Sequence, residues 1–129
     1  MDHATLLVLL ALLQYVLFTA RVGLARGKFK VDAPACEGDE AWSRLFRVQQ
    51  NTLEQLIIFI PATYAFAYYL SEIWVLVPGL AFIIGRFLYS AEYVSDPKTR
   101  TPGMAITLLS NVVLVLGALY GLVRVMFFG

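Results

Sequence analysis

From Ala4 to Ala20 the chain carries no charged side chain, and three further apolar segments of comparable length follow it. An α-helix rises 1.5 Å per residue and needs about 20 mostly apolar residues to cross roughly 30 Å of hydrocarbon. Inside lipid each backbone polar group must be bonded internally, so such segments span as helices. With Arg21 snorkelling, the first segment extends to Ala25. Met1-Asp2-His3 lacks the basic start of a cleaved secretory signal, so this segment is read as a retained span. A polar stretch from Arg26 to Asp39 contains Gly27, Pro34 and Gly38. Asp39 suits the N-cap of a second helix from Glu40 to Leu70, Ser71-Glu72 makes a tight turn, and Ile73 to Tyr93 forms the third span. Asp96-Pro97 ends it, because a residue before proline avoids helical geometry. Thr101-Pro102 reads as an N-cap with proline at the first helical position, opening a fourth span to Phe128.

The expectation is an all-α integral membrane protein, a single domain over residues 1–129 with four transmembrane helices. Composition agrees: 60% of residues are hydrophobic and 15% charged, leaving too few polar groups for a water-facing surface. A net charge of +1, with no basic stripe between aromatics, gives no reason to expect nucleic acid as a partner. A lone cysteine, Cys36, allows no intrachain disulfide and no cysteine-based metal cluster, and the only histidine is His3, so no metal is expected. Basic residues gather around connections one and three (Arg21, Arg26, Lys28, Lys30, Arg44, Arg47; Arg86, Lys98, Arg100). The positive-inside rule places those connections in the cytoplasm and both termini outside.

Some polar residues lie too deep for a loop. Leu56 to Leu70 is only about 22 Å of helix, so Glu54 and Asn51 fall at membrane depth. Ile73 to Gly85 covers about 20 Å, which puts Arg86 and Tyr89 within the span and Tyr93 near its edge. At 100° per residue Arg47, Asn51 and Glu54 occupy an arc of about 60°, as do Arg86, Tyr89 and Tyr93. Alternating topology collects these residues with Arg26 and Arg100 at one membrane face. Charged groups there must face protein or a water-filled cavity. A cluster rich in guanidinium groups calls for an anionic ligand, and Glu54 suits an ammonium group on the same ligand. Arg21, Lys28, Lys30, Arg44 and Lys98 are read instead as snorkelling interfacial residues. Gln14 reads as an interhelical hydrogen-bonding residue, Pro61 as a kink, and Gly79, Gly85, Gly117 and Gly121 as points of close helix approach.

Arg47-Val48-Gln49-Gln50-Asn51-Thr52-Leu53-Glu54 resembles the signature of the MAPEG family, the membrane-associated proteins in eicosanoid and glutathione metabolism. Ala25-Arg26-Gly27-Lys28-Phe29-Lys30-Val31 is similar to the family's segment after helix one. Arg86-Phe87-Leu88-Tyr89-Ser90-Ala91-Glu92-Tyr93, followed by Arg100, is similar to its third-helix pattern, closest to the leukotriene-C synthase and microsomal glutathione transferase branch. The resemblance implies a four-helix subunit assembled as a homotrimer, with glutathione held between subunits near the cytoplasmic face. It assigns Arg26, Arg47, Gln49, Asn51, Glu54, Arg86, Tyr89 and Tyr93 to glutathione binding and Arg100 to stabilising the thiolate. The implied function is membrane-bound glutathione transfer to a lipophilic electrophile arriving from the lipid, with glutathione as co-substrate and peroxidase activity open. Thr101 offers a hydroxyl that leaves isomerase chemistry open as well. Short loops suggest a bacterial member, in the inner membrane. The alternative is a non-catalytic lipid-binding or scaffold protein of the same fold; a small transporter ranks last, because no inverted repeat is visible.

Overall fold

The computed structural model describes residues 1–129 as four long helices, with no strand. Helix α1 spans Asp2–Phe29, α2 Glu40–Tyr69, α3 Leu76–Ser95 and α4 Thr101–Phe128, with a single 3₁₀ turn, Pro97–Thr99, before α4. Helices α1 and α4 are long and apolar enough to cross a membrane, whereas α2 and α3 carry the polar residues that concern the site.

The boundaries have local causes. Helix α1 outruns the expected Ala25 by four residues and stops at Lys30, whose left-handed backbone (φ 56°) directs its N–H back to the Arg26 carbonyl. The Asp39 side chain accepts from the Ala41 N–H at 2.8 Å, capping α2 as its position suggests. Helix α3 starts at Leu76, three residues later than Ile73. The Ser71 hydroxyl accepts from the Trp74 N–H at 3.0 Å, and the chain from Glu72 to Val75 is held in turns. The far end of α3 persists to Ser95 and breaks before Pro97.

The start of α4 corrects an expectation. Thr101 is the first helical residue and caps nothing. The orphan N–H of Gly103 is satisfied from a neighbouring helix instead, by Glu92 Oε1 of α3 at 2.9 Å. An alanine Cβ at Gly103 would run into the Tyr89 backbone, so glycine is what lets α4 lie this close to α3. Gly85 against Ile106, Gly79 against Leu7, Gly117 against Phe66 and Gly121 against the Tyr69 carbonyl are further such approaches.

A central core of Leu7, Ala11, Phe59, Phe82 and Leu114 joins all four helices, with Phe59 and Phe82 stacked at 4.0 Å between centroids. Gln14 donates to the Ile83 carbonyl at 2.9 Å, an α1–α3 cross-link of the expected kind. A second cluster of Val22, Ala25, Val31 and Trp42 folds connection one onto α1, with Trp42 Nε1 donating to the Val22 carbonyl. Large apolar side chains cover the outside: Leu9, Leu13 and Leu17 of α1, Ile57 of α2, Ile84 of α3 and Leu116 of α4 are all more than half exposed. An exterior of this kind needs lipid or another apolar surface against it.

Candidate functional site

One end of the bundle, where α2 begins, α3 ends and α4 begins, holds a polar pocket of about 440 Å³. Its wall is Arg47, Gln50, Asn51 and Glu54 from α2, Tyr89 and Tyr93 from α3, and Arg100 at the start of α4. Helical periodicity explains why: residues three and four apart share a face, and the two arcs confront each other across the α2–α3 contact. The structure thus brings together six of the nine residues singled out from the sequence, and adds Gln50. Nothing in its side chain marks out Gln50 in the sequence, because an uncharged amide beside Arg47 and Glu54 is unremarkable. Its place one turn before Glu54 was the available signal.

The chemical character of the pocket follows from what its side chains leave undone. Arg47, Gln50 and Glu54 make no side-chain hydrogen bond within the chain, and neither phenol hydroxyl has a partner. The Arg100 guanidinium gives one N–H to the Pro97 carbonyl at 2.9 Å and keeps its remaining donors. Cations, an anion, amides and phenols therefore face one volume with their hydrogen-bonding capacity unspent.

Arg86 stands behind this wall rather than on it. It is fully buried, and its guanidinium donates to Asn51 Oδ1 at 2.8 Å, Thr52 Oγ1 at 2.9 Å and Thr107 Oγ1 at 3.4 Å. The threonines are committed to this arrangement. Thr52 donates its own hydrogen to the Val48 carbonyl and Thr107 to the Gly103 carbonyl, so both oxygens face Arg86 as acceptors. Arg86 also lies over the Tyr89 ring at 4.4 Å, and Tyr89 stacks on Tyr93 at 5.5 Å with an interplanar angle of 21°. With its carbonyl oxygen held by Arg86, Asn51 keeps both hydrogens of its NH₂ for the pocket. One buried arginine thus sets the donor polarity of Asn51 and the tilt of two tyrosines. Arg86 is not a wall of this pocket but borders the smaller cavity on the other side of Asn51.

Arg26 and Gln49 do not join the pocket either. Arg26 donates to the Ala35 carbonyl at 2.9 Å and covers the Trp42 ring at 4.7 Å, on the α1 side of the bundle. Gln49 donates to Thr19 Oγ1 of α1 at 3.0 Å. A position two residues from Arg47 and Asn51 points across a helix, which places Gln49 off their shared face. Thr101 is exposed at the first turn of α4 and is not among the pocket's walls.

Residues 4–120 match the MAPEG family. Among individual proteins, the chain is 40% identical over 114 residues to the uncharacterized protein sll1147 of Synechocystis, covering 88% of this chain and 83% of that one. It is 36% identical over 112 residues to human microsomal glutathione S-transferase 2, covering 86% and 76% of the two chains. The bovine protein of the same name is 34% identical over 102 residues, covering 78% and 70%.

Proposed function

The chain belongs to the MAPEG family, and from that premise we propose that it is a membrane-bound glutathione transferase whose polar pocket binds glutathione and activates its thiol. The observation that carries this reading is the pocket of Arg47, Gln50, Asn51, Glu54, Tyr89, Tyr93 and Arg100, with its polar ends left without partners. Glutathione is a tripeptide bearing two carboxylates, one ammonium group and a thiol. Arg47 offers a carboxylate the bidentate fork, Asn51 and Gln50 offer amide donors, and Glu54 offers the ammonium its counter-charge. Relatives named as microsomal glutathione S-transferases support the same ligand.

Arg100 then carries the chemistry. A free thiol ionises near 8.5, so little thiolate is present at neutral pH. A guanidinium in hydrogen-bond reach favours the anion, and each unit of lowering corresponds to about 1.4 kcal/mol. The thiolate attacks an electrophilic carbon of a lipophilic substrate, forming the C–S bond as the leaving group departs or as the electron pair moves onto the substrate's acceptor. Reduction of a hydroperoxide would use the same thiolate. Sulfur attacks the peroxide oxygen, the O–O bond breaks to release an alcohol, and a second glutathione converts the sulfenic acid to the disulfide with loss of water.

Arg26 and Gln49 belong to this reading through assembly. They lie on the α1–α2 side of the bundle, away from the pocket. In a cyclic trimer each subunit presents one face to its neighbour's different face. Arg26 and Gln49 of one subunit then complete the pocket of the next. The domain over 1–129 spans the membrane four times, in a bacterial inner membrane, with connections one and three cytoplasmic and both termini outside.

The test uses purified protein in detergent. Wild type is expected to bind glutathione and conjugate it to a halonitrobenzene. Arg100→Ala is expected to keep binding and lose about a hundredfold in kcat at pH 7, the scale set by losing one charge-stabilising donor. A wild-type protein that binds no glutathione, but saturably binds lipid, would replace this reading with that of a lipid-binding protein.

A further inference from the structure

Beyond the polar pocket, a row of cavities follows the seam between α2 and α4, neighbours sharing wall residues. Asn51 borders both that pocket and a smaller cavity of about 180 Å³, which also touches Gln55 and Leu108. Gln55 and Leu108 in turn border a cavity of about 300 Å³ farther along the outer α2–α4 seam. Ile58 and Val115 border both this cavity and an apolar one of about 370 Å³ toward the opposite end.

One amide pair interrupts the apolar wall. Asn111 is only 2% exposed, and its Nδ2 donates to Gln55 Oε1 at 3.0 Å and to the Gln55 backbone carbonyl at 3.4 Å. A backbone carbonyl can only accept, so the NH₂ of Asn111 must face Gln55, and its Oδ1 is left buried without a partner. With its own oxygen occupied by Asn111, Gln55 has a free NH₂ at the cavity wall. A donor and an acceptor, both unspent, thus stand side by side where apolar side chains would pack better. The unpartnered buried amide oxygen of Asn111 costs free energy that a bound hydroxyl would recover.

We propose that Gln55 and Asn111 form a polar subsite of the second-substrate cleft, selecting lipophilic molecules that carry a hydroxyl group along their apolar chain. A hydroxyl is the group that fits: its oxygen accepts from Gln55 Nε2 while its hydrogen goes to Asn111 Oδ1. The subsite rests on reading the neighbouring pocket as the glutathione site, but its own binding chemistry does not require glutathione.

The test measures competition by methyl stearate and by a series of its mid-chain monohydroxy isomers against a fluorescent polyene fatty-acid ester, on full-length protein in nanodiscs. Wild type is expected to bind the best-placed hydroxy isomer about tenfold more tightly than methyl stearate, the scale of one well-made hydrogen-bonded contact. Gln55→Met and Asn111→Leu are expected to bring the two within about twofold while leaving glutathione affinity unchanged. Gln55→Met leaves Asn111 bonded to the backbone carbonyl, so it serves if Asn111→Leu fails to fold. Equal binding of all esters by wild type, or a preference that survives in the variants that fold, overturns the subsite. A hydroxyl preference in protein that binds no glutathione upholds the subsite and overturns the transferase reading.

Discussion

At the scale of single residues, the site depends on which atoms are already committed. Arg86 gives N–H groups to Asn51, Thr52 and Thr107, which fixes the Asn51 oxygen toward Arg86 and leaves its NH₂ for the pocket. Arg86→Met keeps comparable bulk but frees Asn51 Oδ1 and removes the cation from above Tyr89. Glutathione affinity, measured by titration calorimetry, is expected to fall about tenfold, while kcat at saturating glutathione changes far less. That polar residues gather here was legible in the sequence, because helical spacing fixes which side chains share a face and the shortness of the apolar run fixes their depth. The division of labour was not. Nothing in Arg86-x-x-Tyr89 says that the arginine turns inward. That orientation comes from two threonines, on α2 and α4, whose hydroxyl hydrogens go to their own helices.

At the scale of helices, the approach of α4 to α3 sets the position of Arg100. Gly103 meets the Tyr89 backbone with no room for a methyl, whereas nothing lies near Gly27. Gly103→Ala is expected to destabilise the folded protein by about 1–3 kcal/mol in thermal unfolding, and to lower activity by displacing Tyr89 and Arg100. Gly27→Ala, on an open helix face, is expected to be neutral or stabilising by up to about 1 kcal/mol. The far end of the bundle is fastened by Glu72, which accepts from the Met1 ammonium at 3.0 Å and the His3 N–H at 2.8 Å. Bonding to that ammonium holds the Glu72 carboxyl below its usual value of 4.5. A carboxyl lowered in the folded state contributes stability above its unfolded pKa and loses it as pH falls through the folded one. Amide exchange at the start of α1 is therefore expected to quicken as pH drops below about 4.5, after correction for intrinsic rates, and Glu72→Gln is expected to flatten that dependence. The four helices and most of their boundaries could be read from apolar runs, Asp39 and Pro97. The late start of α3 and the capping of α4 by Glu92 could not, because both depend on side chains meeting across the fold.

For the whole molecule, the separation of Arg26 and Gln49 from the pocket is the reason the proposed function draws on assembly. If each site draws Arg100 from one subunit and Arg26 from the next, mixing Arg26→Ala and Arg100→Ala subunits in equal amounts restores about a quarter of the wild-type sites. Co-expressed mixtures are therefore expected to exceed either variant alone, and a mixture no better than the sum of its parts would place each site within one chain. The resemblance in three separate motifs pointed to such sharing, but the sequence of one chain cannot say which residues come from a neighbour. The most direct test of the account is the ionisation of bound glutathione, followed by thiolate absorbance in purified protein as pH is raised. A thiolate signal is expected already at pH 7 in wild type, with a midpoint below the free-thiol value of about 8.5, and a return toward that value in Arg100→Ala. A wild-type midpoint at the free-thiol value, or no glutathione-dependent thiolate signal at all, would contradict it.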